Sequence, residues 1–313
     1  MTEALSIRYQ RFAATEARGR SPLYEALALG VANDGAILTL LAALPLEKQQ
    51  PNLLFAAVRV VAGTAAGFSD FRNRLLSHAN AVCSLMLRRR TQTNEPNRCA
   101  VLLPLLARLP GPLALIEVGA SAGLCLLPDR YGYDYGSVTL PGMPVLHCRA
   151  QAPLPYRKPE VAWRIGLDLD PVDLADPAEV AWLEALVWPD QPERLSRLRQ
   201  AMTAACADPP SVVPGDLRVD TIRLVAEARQ YGTPVVFHTA VLAYLPDAAE
   251  RVEFGRLVME AGAVWISNEA PAVFPAIARR VGSPAPDRAF LMAQDGVPVA
   301  WTNPHGSWIT WIA

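Results

Sequence analysis

The chain has 313 residues, 51% of them hydrophobic, enough for one large domain or two of ordinary size around a sizeable core. Its formal net charge of −1 lacks the basic excess of a nucleic-acid binder. Five cysteines (Cys83, Cys99, Cys125, Cys148, Cys206) without a CxxC pair and four histidines (His78, His147, His238, His305) without close spacing exclude a disulfide framework and a zinc motif. The first 21 residues carry charges throughout and no apolar signal region, and no apolar run reaches membrane-spanning length free of charge. Together these predict a soluble, cytoplasmic protein that acts on a small molecule, with no nucleic-acid or membrane partner; they set no oligomeric state. The one basic cluster, Arg88-Arg89-Arg90, reads as a solvated helix end with cations near the C-terminal dipole.

In chain order, the first hundred residues read as helical. Ser21-Pro22 caps and starts a helix from Leu23 to Leu44, which Pro45 ends. Pro51 opens a second helix that stops near Gly63, and Phe68 to Leu87 supplies a third, broken near His78. Residues 1–98 are therefore expected to form an all-helical domain. From Leu113 the pattern changes to alternating strands and helices. The strands are Leu113–Val118, Trp163–Asp168, Ser211–Val213, Pro234–His238 and Ala263–Ser267. The helices are Pro177–Val187, Arg194–Cys206, Ile222–Gln230 and Glu250–Ala261, the last stopped by Gly262. The segment 128–162, with short strands at Ser137–Leu140 and Pro144–Cys148, reads as an insertion over the first strand's loop. Ala289–Gln294, the Asp295-Gly296 turn and Val297–Thr302 form a hairpin. Residues 307–312 follow as a further strand, and Trp301, Trp308 and Trp311 are core packing on the hairpin faces. The fold class is α/β, a mixed sheet over residues 99–313 with an antiparallel C-terminal hairpin.

The chemistry concentrates where Leu113–Val118 runs into Gly119-Ala-Ser121-Ala-Gly123. A strand apolar on both faces is a central parallel strand. A glycine-bearing loop at the start of a helix offers backbone N–H groups to a nucleotide-like ligand. The expected cofactor-binding residues are Glu117, Gly119, Ser121 and Gly123, with Asp168 or Asp170 after the second strand for ribose hydroxyls and Asp216 after the third for an adenine amino group. His238 closes the fourth strand, where a general base would sit. Thr91-Gln-Thr-Asn-Glu-Pro-Asn-Arg98 carries more polar side chains than helix capping by Asn94 or Asn97 uses, and reads as a pocket wall facing the Glu117 loop. Asn94 and Glu95 are assigned to catalysis with His238. Gln92, Arg98, Tyr131, Asn268 and Glu269 are assigned to substrate binding. The same loop reads alternatively as the nucleophile elbow of a hydrolase, with Ser121, Asp216 and His238 or His305 in the required order, although helices rather than strands precede it. A non-catalytic small-molecule or nucleotide binder is the third reading.

Several runs resemble a bacterial family known as domain of unknown function 2332. They are Ser21-Pro-Leu-Tyr24, Gln50-Pro-Asn-Leu-Leu54, the run at 91–98, Glu117 to Leu124 with Asp129-Arg-Tyr131, and Gly166-Leu-Asp168 with Pro171-Val-Asp173. Trp188-Pro189, Gly215-Asp216, Val236-Phe-His238 and Trp265-Ile-Ser267 also match. Cys125 departs from the pattern, which has Asn there. In layout, α-linked strands closed by an antiparallel hairpin resemble S-adenosylmethionine-dependent methyltransferases, as Glu-x-Gly-x-Ser-x-Gly resembles their acidic, glycine-rich signature, with Ser121 in place of the middle glycine. That resemblance implies a Rossmann-like sheet, S-adenosylmethionine as cofactor and methyl transfer to a small molecule.

Overall fold

A computed structural model describes residues 2–151, 153–154, 157–282 and 284–312. Residues 152, 155 and 156 of the expected insertion, and both chain ends, lie outside them. In chain order the helices are α1 (Thr2–Phe12), α2 (Pro22–Ala32), α3 (Gly35–Ala42), α4 (Pro51–Ala62), α5 (Phe68–Ser77), α6 (Ala79–Arg88), α7 (Arg98–Leu106), α8 (Pro177–Leu186), α9 (Pro192–Ala207), α10 (Leu217–Ala228), α11 (Ala248–Glu260) and α12 (Pro275–Ala278). The strands are β1 (Leu113–Val118), β2 (Gly132–Asp134), β3 (Thr139–Leu140), β4 (Val145–His147), β5 (Arg149–Ala150), β6 (Val161–Asp168), β7 (Val212–Pro214), β8 (Thr233–Thr239), β9 (Val264–Glu269), β10 (Phe290–Gln294), β11 (Val297–Thr302) and β12 (Trp308–Trp311).

These elements form two units, Met1–Thr93 with Ala175–Arg199, and Asn94–Leu174 with Gln200–Ala313. The division departs from the expected 1–98 and 99–313 in two ways. The sheet unit begins at Asn94, so Asn94 to Arg98 belong with the Glu117 loop while Gln92 belongs with the helices. The segment bearing α8 leaves the sheet unit and packs its apolar side chains into the helical core.

The helical unit is organised around Phe55, whose ring meets Tyr9, Phe12, Tyr24 and Phe71 edge-on. Trp182 and Trp188 from the α8 segment are buried in the same core. Their indole N–H groups donate to Arg90 O and Asn52 Oδ1, each at 3.0 Å. Ser21 caps α2 as expected, its hydroxyl accepting from Tyr24 N at 3.0 Å. The single helix expected from Leu23 to Leu44 is instead two, α2 and α3, at 84°. Asp34 produces the break: its carboxylate accepts from Ala36 N and Ile37 N at 3.0 Å and starts a new helix. Arg89 pairs with Glu179 and lies 5.9 Å over the Trp182 ring, so the triple-arginine cluster is in part a packing device. Among the described residues no single helix is long and apolar enough to cross a membrane.

The second unit is a mixed sheet of nine strands in the order β5-β12-β11-β10-β9-β8-β1-β6-β7. From β7 through β9 neighbours pair in parallel, and β9, β10, β11 and β12 pair antiparallel in succession. The C-terminal hairpin is therefore β10–β11, turning at Asp295 and Gly296 with φ of 50° and 72°, the left-handed pair that a tight hairpin needs. β1 is buried along its whole length. Strand order reverses there: the chain leaves β1 for β6 and β7 on one side, then returns to β8 and β9 on the other. Ala114, Ile116 and Val118 face α10 and α11 in one apolar cluster with Val236 and Trp265. By strand alternation Leu115 and Glu117 face the other way, the side on which α7 lies. The crossover from β1 to β6 contains a small sheet, β3-β2-β4. The helix expected after the glycine loop is absent; a single 3₁₀ turn, Leu124–Leu126, takes its place. α10 begins at Leu217, ahead of the expected Ile222, because Asp216 caps it.

Candidate functional site

Ligands of open parallel sheets bind beyond the carboxyl ends of the strands, where strand order reverses. Here that edge carries Glu117 on β1, Asp168 on β6, Thr239 on β8, and Asn268 and Glu269 on β9. Glu117 is only 5% exposed, and its Oε2 is buried with no hydrogen-bond partner. Burial pushes its carboxyl well above the usual carboxylate range; Cys125 and Asp168 add to the rise, and the Arg98 charge opposes it. Arg98, in the first turn of α7, donates from Nη1 to Thr239 O and Oγ1 at 3.0 Å and from Nε to Pro304 O at 2.9 Å. Glu95 is buried beside it. Asn268 accepts from Thr302 Oγ1 at 2.7 Å while its buried Nδ2 has no partner. This edge thus collects buried polar atoms that the fold leaves unsatisfied, a costly arrangement unless a ligand or water completes it.

The loop itself behaves differently from its sequence reading. Gly119 N and Ala120 N donate to Leu167 O at 2.7 and 3.2 Å, and Gly123 N to Ala120 O at 2.7 Å. Ser121 N donates to Asp168 Oδ2 at 2.7 Å, and Ala122 N to Asn94 Oδ1 at 3.1 Å. Every amide from 119 to 123 is therefore used within the protein, and no anion cradle remains. Gly119 and Gly123 both sit at φ +69°, with Val241 and with Pro210 and Val212 filling the space that a side chain would need. The glycines serve backbone geometry and close packing. Asp168 also accepts from Asp170 N at 2.9 Å. Asp216 caps α10 through Arg218 N at 2.9 Å and pairs with the Arg218 guanidinium at 2.6 Å, which holds its carboxyl below the usual range. The adenine contact expected of Asp216 gives way to that capping role.

His238 is likewise corrected. Its ring is fully buried; Trp265 Nε1 donates to Nε2 at 3.0 Å, and Nδ1 lies 2.7 Å from Glu269 Oε1. Because the indole can only donate, Nε2 must accept and Nδ1 carries the proton. Neither nitrogen is left for a substrate, so His238 is structural rather than a general base. Glu269 Oε1 also accepts from Val241 N and Leu242 N at 2.8 and 3.1 Å, which gives that oxygen a framework role, while Oε2 is buried without a partner. Tyr131 is fully buried and donates to Leu124 O at 2.8 Å. Asn94 holds the loop, its Nδ2 donating to Ser121 Oγ at 2.9 Å. Of the two bases the hydrolase alternative offered, His238 is enclosed by Trp265 and Glu269, and Ser121 Oγ accepts from Asn94 Nδ2.

The run at 94–98 does stand beside Glu117, and in it the sequence reading missed Asn97. Its Nδ2 donates to His147 O at 3.1 Å and His305 O at 3.3 Å, so it ties the Asn303–Gly306 turn to the site instead of capping α7. The Asn-Pro-His-Gly order of that turn was the available signal. The chain belongs to the family described as an uncharacterized protein conserved in bacteria (DUF2332), which matches residues 6–311. No curated protein and no solved structure matches it.

Proposed function

We propose that the β1 edge binds S-adenosylmethionine and that the protein transfers its methyl group to a small molecule. The observation that carries this reading is the bare, buried Oε2 of Glu117 at the end of the central strand. The strand order β7-β6-β1-β8-β9 supports it, being the 3-2-1-4-5 order of doubly wound sheets. The donor set also discriminates among ligands. With all five loop amides engaged, a pyrophosphate has no N–H groups to meet. Glu117, Glu95 and Asp168 outnumber Arg98 and favour a cation. S-adenosylmethionine carries a sulfonium, an ammonium and hydroxyls but no phosphate, and it supplies a transferable methyl group when bound. Glu117 and Asp168 are the residues that would hold it. A cation arriving beside Glu117 favours the ionised carboxylate, so binding releases a proton to solvent.

Thermal-shift titration against a panel tests this reading. S-adenosylmethionine and S-adenosylhomocysteine are expected to raise Tm in a concentration-dependent way, whereas ATP and NAD leave it unchanged. Stabilisation by ATP or NAD alone would reject it.

A further inference from the structure

Along β9, Trp265, Ser267 and Glu269 alternate onto the α10–α11 face of the sheet, whereas Asn268 shares the α7 face with Glu117. Residues 270–274 then carry the chain into α12, which packs back over β9 and β10. Between this segment and the two strands runs a narrow cleft lined by Ser267, Glu269, Pro271, Phe274, Ile277 and Leu291. Its inner space admits little more than a water-sized group, and its mouth is open to solvent. Glu269 and Ser267 are the polar residues of its lining; the others are apolar.

Glu269 uses its two oxygens unequally. Oε1 accepts from His238 Nδ1, Val241 N and Leu242 N, while Oε2 is buried with no partner. All three donors on Oε1 are neutral: two are backbone amides, and an imidazole whose Nε2 accepts from Trp265 Nε1 holds a single proton. Among the described residues no lysine or arginine pairs with Glu269; its ion-pair geometry is with His238 alone. Arg251 and Arg280, on the flanking segments, donate instead to Leu245 O and Gly296 O at 2.8 and 2.7 Å. A buried carboxylate without a cation is costly. The three bonds to Oε1 also fix the carboxylate, so Oε2 is held in one place beside the cleft.

We propose that this cleft is a second ligand site, which takes the ammonium head of a primary amine on Glu269 Oε2 with the Ser267 hydroxyl beside it. An ammonium head matches the water-sized space. It supplies the N–H donor that Oε2 lacks and the positive charge that the Glu269 network lacks, in a charge-assisted hydrogen bond. The apolar body of the amine lies in the open mouth against Pro271, Phe274 and Ile277. Other heads fit less well: a carboxylate is repelled by Glu269, an alcohol brings a donor without charge, and a trimethylated ammonium brings charge without an N–H. The site stands apart from the methyl-transfer reading, because it lies on the face away from Glu117 and needs no cofactor.

Isothermal titration of the full chain with pentylamine, 1-pentanol, pentanoate and pentyltrimethylammonium tests this, in wild type, Glu269→Gln, Ile277→Phe and Glu117→Gln. Pentylamine is expected to bind the wild type in the millimolar range, and the other three probes about tenfold or more weakly. Glu269→Gln keeps an oxygen for the framework donors but loses the charge, and should weaken pentylamine by about tenfold or more. Ile277→Phe fills the cleft while leaving the bonds of Glu269 in place. It should weaken pentylamine as well, which keeps the test decisive if Glu269→Gln fails to fold. Glu117→Gln should bind pentylamine as the wild type does. A wild type that binds no pentylamine at millimolar concentration leaves the cleft to water and overturns the proposal. Equal affinity for pentyltrimethylammonium, or undiminished binding in Ile277→Phe, overturns it too. Binding lost in Glu117→Gln would put the amine on the α7 face and likewise overturn it.

Discussion

The two faces of the nine-stranded sheet treat polar side chains differently at the same carboxyl edge. On the α10–α11 side, His238, Trp265 and Glu269 Oε1 bond one another and two backbone amides and so hold β8 to β9, while Glu269 Oε2 is buried without a partner. On the α7 side, Glu117 Oε2, Asn97 Oδ1 and Asn268 Nδ2 are buried and unpaired around Arg98. Residue types are similar on both faces; what differs is how far the fold spends them. Buried groups that satisfy each other rigidify a core, whereas groups left unsatisfied are costly unless a ligand or water completes them.

Substitutions can break this contrast, and the largest effect belongs to the closed face. Glu269→Ala strands three donors at once and should cost about 3 kcal/mol in urea denaturation; a loss near zero would mean that the His238 side is not a closed network. Gly119→Ala should cost about 2 kcal/mol, from positive φ and from contact with Val241, and Val241→Ala in the same chain should return part of it. Unchanged stability would mean that the glycine is kept for a ligand after all. On the open face the sign reverses. Glu117→Gln removes a buried, unpartnered carboxylate and should stabilise the free protein by about 1 kcal/mol at neutral pH. Because the folded carboxyl titrates above its unfolded value, its contribution is fully present below the unfolded pKa. It is lost as pH rises through the folded one. Chemical denaturation across that range should show wild-type stability falling relative to Glu117→Gln, and parallel curves would contradict the assignment. Smallest is Asp34→Ala, which removes the cap of α3 in the helical unit and should cost about 1 kcal/mol without altering ligand binding.

Much of the sheet could be read from apolar runs: β1, β8, β9 and the β10–β11 hairpin fall within a residue or two of their expected places, since buried parallel strands and Asp-Gly turns announce themselves locally. The break at Asp34 was legible in principle as a cap inside a helical pattern, but periodicity on both sides concealed it. The site was legible only as a list of residues. That Asn94 and Asp168 consume the loop amides, that Trp265 closes His238, and that Asn97 reaches the His305 turn are long-range hydrogen bonds between strand ends. No local pattern encodes them. The helix expected after Gly123 failed for a related reason: the residues that follow are drawn into the β2–β4 insertion, with Tyr131 and Tyr133 bonding back to Leu124 O and Pro128 O.

The central claim is that Glu117 is left unpaired in order to hold a phosphate-free cation. Isothermal titration of S-adenosylmethionine into wild type and Glu117→Gln, repeated in buffers of different ionisation enthalpy, tests it most directly. The account predicts binding with proton release in the wild type, and in Glu117→Gln affinity weakened by about tenfold or more with the proton release abolished. Equal affinities and equal proton counts in the two proteins would contradict it.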